Sequence, residues 1–333
     1  MLKVVENELA IARHERRFVR SFRPLMEEEI PVKLGHPGAS EKAKVAWSGR
    51  LGVWFYFRKI AQSRYWNAFG VGRPEAGESV AITCEINFPL SGIDRRVGGA
   101  FAEDNTGRIF VVHRGKLGGG RKGVGKSLFE NSYRGVWEVM DDGGEETPVA
   151  IAGVLQSARF ARQIGQFVRK IARIKEAATV RSSQAVLTLE ELSVREEMIG
   201  DRYREQERDT GAECDHGLIV RDLAEELKKI GLRVGNDGHR DLMVIDRQDR
   251  IRAVFQVLTE MTVPGLHAGA TQLLLNGLSL PDPSRLILVL PKAPERTLAE
   301  KLRRLNIDLL LYGWQEDRAV FPEIDALLAR VTT

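Results

Sequence analysis

Residues 240–260, RDLMVIDRQDRIRAVFQVLTE, constrain the fold more than any other stretch of this chain. Two apolar runs, 242–245 and 251–258, flank the polar turn DRQDR and read as strand, turn and strand. Asp241 opens the first strand, and Gln256-Val257-Leu258 lies near the end of the second. Side chains alternate along a strand, so Gln256 and Leu258 share one face and Val257 turns to the core behind it.

The surrounding segments extend this hairpin into a domain. A charged helix is expected over 189–208 and an amphipathic helix over 218–230, before the turn GNDGHR. After the hairpin come a helix over 266–278, a buried strand over 286–290, a helix over 298–305 and a strand over 309–312. The order α-β-β-(β)-α-β-α predicts a mixed α/β sheet covered by helices.

This order resembles the PD-(D/E)XK restriction-endonuclease-like superfamily over about residues 212–315. In that family an Asp opens the second core strand and an acid-x-Lys triplet sits in the third. The acids hold Mg²⁺ or Mn²⁺ through hard oxygen ligands, and the Lys orients or deprotonates the attacking water. Asp241 takes the first position, and after fourteen residues Gln256 stands for the acid and Leu258 for the Lys. The resemblance implies metal ligation by Asp241 and Gln256, with Glu260 as a further carboxylate and Gln272 in TQLLLNG pointing toward the site. Leucine carries no charge and moves no proton, a loss worth roughly 10²- to 10⁴-fold in rate. The expectation is therefore a catalytically degenerate nuclease-like domain. The alternative is an active metal-dependent endonuclease using Asp241, Gln256 and Glu260.

Charge divides the chain. Residues 1–180 carry 29 Lys+Arg against 20 Asp+Glu, and residues 181–333 carry 21 against 26. A basic front half suits a polyanion, with DNA favoured, whereas an acidic back half suits a protein partner. Two domains are expected, 1–180 and 186–333, with VRSSQ at 180–184 as linker. The first reads as an N-terminal helix over 3–30, broken near Pro24, followed by a compact antiparallel sheet or barrel. Its strands are expected at 54–57, 79–88, 108–113 and 136–140, before a helix over 151–177 with a basic outer face. The fold class is thus α+β for the front half and α/β for the back half.

Within the front half, HRGKLGGGRKGVGKSLF places Arg114, Lys116, Arg121, Lys122 and Lys126 among six glycines. Glycines admit backbone N–H groups close to phosphate oxygens, and the cations supply attraction. Arg95 and Arg96 are expected to border the same groove, with Tyr65, Trp66 and Phe69 either stacking on bases or filling the core. GRKGVGKS also matches the GxxxxGK[ST] pattern of P-loop NTPases letter for letter. That pattern requires a parallel strand ending at the first Gly, which the sequence does not provide. No apolar run reaches the roughly 20 residues that span a bilayer. The two cysteines lack metal-ligand spacing, and the charged N-terminus lacks a signal peptide's apolar centre. A cytoplasmic protein of DNA defence or DNA processing is the expectation; P-loop nucleotide binding and a protein-interaction scaffold are further alternatives.

Overall fold

The computed structural model describes residues 1–36, 39–116, 125–182, 209–237 and 239–328. The chain divides into two compact units, Met1–Val186 and Leu187–Thr333.

In the first unit, strand β1 (Leu2–Val4) precedes helix α1 (Glu8–Phe22). Four long strands follow, β2 (Glu28–His36), β3 (Ala39–Ser48), β4 (Val53–Ile60) and β5 (Arg64–Val71). Short strands β6 (Ser79–Ala81), β7 (Cys84–Glu85) and β8 (Phe88–Pro89) lead to β9 (Gly99–Glu103) and β10 (Ile109–His113). Helix α2 (Lys126–Ser132), strands β11 (Trp137–Asp141) and β12 (Glu146–Val154), and helix α3 (Phe160–Ser182) complete the unit. One sheet has the order β6-β2-β3-β4-β5-β7, with β8 also on β5, and β1-β11-β12-β10-β9 closes into a barrel.

The expected antiparallel sheet or barrel is present as both, with parallel pairs β1–β11 and β2–β6 among the antiparallel ones. Three expected boundaries are corrected. The helix over 3–30 is shorter, because Asn7 caps it by accepting the Ala10 N–H at 3.0 Å and residues 2–4 pair with β9 and β11 instead. The helix over 151–177 starts at Phe160, because residues 151–154 finish β12 in the barrel. Its other end runs through the first residues of the expected linker. The basic outer face of α3 is also corrected. Its first half is buried nearly all round, with Arg162 inside and Arg169 donating to the Leu51 carbonyl. The charged helix expected over 189–208 lies outside the described residues.

Phenylalanine holds this unit together. Phe18 of α1 meets Phe88 at 5.2 Å and Phe160 of α3 at 5.6 Å, edge to face, so two helices and the sheet share one core. Gly70 faces Trp54 across β4 and β5, and a Cβ there would sit 2.2 Å from the indole.

The second unit begins with helix α4 (Thr210–Lys229) and strands β13 (Arg233–Gly235), β14 (Leu242–Ile245) and β15 (Ile251–Val257). Helix α5 (Val263–Leu278), strand β16 (Arg285–Leu290), helix α6 (Arg296–Arg304) and strand β17 (Ile307–Leu311) follow. A small hairpin, β18 (Gly313–Gln315) and β19 (Arg318–Val320), and helix α7 (Ile324–Leu328) end the described chain. The sheet order is β13-β14-β15-β16-β17, antiparallel through β15 and parallel beyond it. Alternate residues feed two cores. Leu242, Val244, Phe255 and Val257 pack with α4, whereas Met243, Ile245, Val254 and Leu288 pack with α5. Among the described residues no helix is long and apolar enough to cross a membrane.

The barrel contains a fully buried histidine. Burial pushes the His113 imidazole down to about 4. Nε2 lies 3.1 Å from the Glu85 carbonyl and Nδ1 accepts the Gly115 N–H, which fixes the neutral tautomer protonated at Nε2. Between pH 6.5 and 4 an unfolded His113 takes a proton that the native barrel refuses, so stability falls as pH drops through that window. The loss amounts to about 3 kcal/mol. Chemical denaturation across this range should show a slope that is shallower by about one proton in His113→Gln.

Candidate functional site

Two places in the molecule gather the residues singled out by sequence. The first is the end of β14 and β15. The pairing Leu242↔Phe255 sets Asp241 opposite Gln256. Both side chains are buried, at 3% and 1% exposure. The Gln256 amide donates from Nε2 to Asp241 Oδ2 at 2.6 Å. That same oxygen accepts the Val257 N–H at 2.7 Å.

His216 of α4 completes the cluster. Its Nε2 lies 3.2 Å from Asp241 Oδ2 and 3.1 Å from the Val257 carbonyl, two acceptors that require the proton on Nε2. The sequence reading missed His216 because it began the helix at residue 218. Extending the buried stripe Ile219, Leu223 and Leu227 one turn backward would have found it.

The remaining expected residues take other roles. Leu258 shares the face of Gln256 and packs on α5, where a Cβ at Gly269 would lie 3.0 Å from its Cδ2. Glu260 does not extend the carboxylate cluster: its Oε1 accepts the Asp209 N–H at 3.0 Å, ahead of α4. Gln272 reaches Asn276 Oδ1 at 3.5 Å rather than Asp241; Asn276 in turn donates to the His239 carbonyl, two residues before Asp241.

A resident Mg²⁺ or Mn²⁺ does not fit this donor set. Such ions demand about six oxygen ligands, with carboxylates supplying the charge. Here one carboxylate oxygen is spent on three N–H groups, and the amide presents its nitrogen to it. Gln256 Oε1 is buried without a hydrogen-bond partner. Among the described residues no three His, Cys, Asp or Glu side chains group as metal ligands.

The second place lies in the first unit, where Arg64, Arg96, Lys116 and Lys126 line a cleft of about 650 Å³ with Glu85 and Asp94. Arg114, expected among its phosphate-binding cations, is a structural residue instead. It is 5% exposed and grips the fully buried Asp142 through Nε at 2.9 Å and Nη2 at 2.7 Å. Its Nη1 donates to the Val97 and Gly99 carbonyls. Arg95 is likewise committed, donating to the Asp142 carbonyl at 2.6 Å and meeting Glu145 at 3.3 Å. Arg96 closes on Asp94. Lys116 donates to the Arg95 carbonyl, and Lys126 pairs with Glu130 at 3.4 Å. Arg121 and Lys122 lie outside the described residues.

Two alternatives are corrected by the same geometry. The strand before the glycine-rich segment, β10, is antiparallel to both β9 and β12, so the parallel strand that a P-loop needs is not there. Tyr65, Trp66 and Phe69 are buried in two cores and cannot stack on bases.

The chain matches no protein-family profile, no curated protein and no solved structure.

Arg114→Ala should unfold the unit far more readily than Arg96→Ala. The first takes from a buried carboxylate its buried partner, leaving only the longer Arg95 contact, a cost of about 3–5 kcal/mol. The second removes a solvent-exposed pair and should change stability little. Urea denaturation of both variants reads the difference, and equal effects would show that Arg114 faces solvent.

Proposed function

We propose that this chain binds nucleic acid, DNA in preference, through its basic first unit, and that its second unit is a nuclease-like domain of the PD-(D/E)XK kind that no longer cleaves. The observation that carries this proposal is the direct Asp241–Gln256 contact. Two side chains at the spacing of the family's acids converge on one face at the end of adjacent antiparallel strands. The strand and helix order around them, α4-β13-β14-β15-α5-β16, is the order the resemblance leads one to expect. An amide stands where a second carboxylate would bring a cation. An aliphatic chain stands where an amine would activate water. With neither group in place, phosphodiester hydrolysis lacks both its charge stabilisation and its proton acceptor. Nucleic-acid binding is supported by the excess of cations in residues 1–180, for which a polyanion is the natural partner. A role in DNA defence or processing follows from the same resemblance.

Two measurements test this. In a gel-shift assay the full chain should retain duplex or single-stranded DNA at low salt and release it steeply as salt rises. Absence of retention at low salt sinks the binding half, and plasmid cleavage in Mg²⁺ or Mn²⁺ sinks the non-cleaving half. Gln256→Glu sets a carboxylate against Asp241 in place of a donor. This variant should melt below the unaltered chain and recover on addition of Mn²⁺, whereas the unaltered chain should not respond. Mn²⁺-insensitive melting of Gln256→Glu would separate this cluster from the family's metal position.

A further inference from the structure

The cleft of the first unit has a lining too mixed for a plain phosphate track. We infer that it takes a single unpaired nucleotide of a nucleic-acid strand, with the phosphate on Arg64 and Lys116 and a base or sugar edge on Glu85; this rests on the nucleic-acid binding proposed above.

Arg64 is the leading observation. Arg58, Arg73, Arg95, Arg96, Arg108 and Arg114 each hold a carboxylate. Arg64, at the start of β5, makes no side-chain hydrogen bond or ion pair among the described residues, and its Nε is sealed from solvent without an acceptor. A buried donor left in that state is costly, and a guanidinium fork matches the paired oxygens of a phosphate. Lys116 lies in the same lining. Its hydrogen bond to the Arg95 carbonyl positions the ammonium without neutralising it, and two further N–H donors remain.

The carboxylates then sort the ligand. Asp94 is neutralised by Arg96, but Glu85 has no ion-pair partner among the described residues. Its Oε2 accepts the Asn87 amide at 2.5 Å, while Asn87 Oδ1 accepts the Asn67 N–H at 2.9 Å. The part-buried Glu85 carboxylate is therefore held in place by a chain anchored in β5. A fixed anion in the wall repels a run of phosphates. It accepts hydrogen bonds from an exocyclic amine, a ring N–H or a sugar hydroxyl. One phosphate site beside one fixed acceptor describes a nucleotide.

Size agrees. About 650 Å³ lies within the range of small-molecule pockets, roughly 300–1,000 Å³. A paired base inside a duplex cannot enter such a cleft, whereas an unpaired or extruded one can.

The test uses the full chain in calorimetric titrations with a nucleoside 5′-monophosphate, the matching nucleoside and inorganic phosphate. The monophosphate should bind at least tenfold more tightly than either fragment. Arg64→Ala should weaken it at least tenfold, with Arg64→Lys intermediate, and Glu85→Gln should change the ranking among bases while leaving phosphate unaffected. A short single strand should displace the monophosphate, and its blunt duplex should not. Equal binding of monophosphate and inorganic phosphate overturns the proposal, as does an unchanged affinity in Arg64→Ala. Gel-shift retention that survives in Arg64→Ala at full strength also overturns it, while leaving nucleic-acid binding intact. Loss of all retention by the unaltered chain is the separate failure, that of the function on which the cleft depends.

Discussion

Strand β15 outlasts its neighbour β14 by two residues, Gln256 and Val257, and the second unit's candidate site is built around that excess. The pairing of β14 ends at Leu242, yet the N–H and C=O of Val257 still point to that side. A buried backbone group must find a partner. Asp241 and His216 supply them, the carboxylate taking the N–H and the imidazole donating to the carbonyl. The same two side chains then bond to each other and draw in Gln256. A helix and two strand ends are thus fastened by one carboxylate oxygen.

The first unit solves a related problem with a different pair. The turn that follows β10 must lead away from a closed barrel while its preceding backbone is buried. Arg114 fills that position by clamping Asp142 and two carbonyls at once, and His113 orders the turn through Gly115. Gly115 has φ of +79°, and a Cβ there would strike Phe129 at 2.8 Å, so this glycine is fixed by packing as well as by backbone conformation. The basic, glycine-rich composition that suggests an exposed phosphate loop therefore begins with two residues dedicated to the barrel. The exposed part of the chemistry starts only at Lys116.

These cases show what the sequence could and could not reveal. The hairpin was legible because its two cores alternate at period two, and because Asp241 and Gln256 follow from that register. The apolar helices and strands after it were legible for the same reason. His216 was hidden by a helix start placed about two turns late, since a histidine and an aspartate do not look like the buried face of a helix. Strand β1 was hidden because three residues carry no periodicity; only the closure of the barrel between β9 and β11 makes them a strand. Arg114 was misread because sequence records charge but not the distant Asp142 that neutralises it. Arg64 passed unnoticed for the opposite reason, standing apart from the basic loop that attracted attention.

The neutral amide at Gln256 has a consequence for folding. A second buried carboxylate beside Asp241 would bring two like charges into a dry site, and the pair would stand only with a cation or a proton between them. An amide removes that requirement and supplies a donor aimed at the carboxylate. The cluster is then satisfied on its Asp241 side by N–H groups alone, and the sheet can close without a metal. Gln256 Oε1 is left as a buried acceptor without a hydrogen-bond partner. Leu258 continues the same logic one step along the strand. An ammonium there would need an anion or water at its tip, whereas the aliphatic chain seals against Gly269 and joins the α5 core. Gln256 and Leu258 together give a strand end that packs and hydrogen-bonds internally. The polar centre of this sheet thus serves architecture.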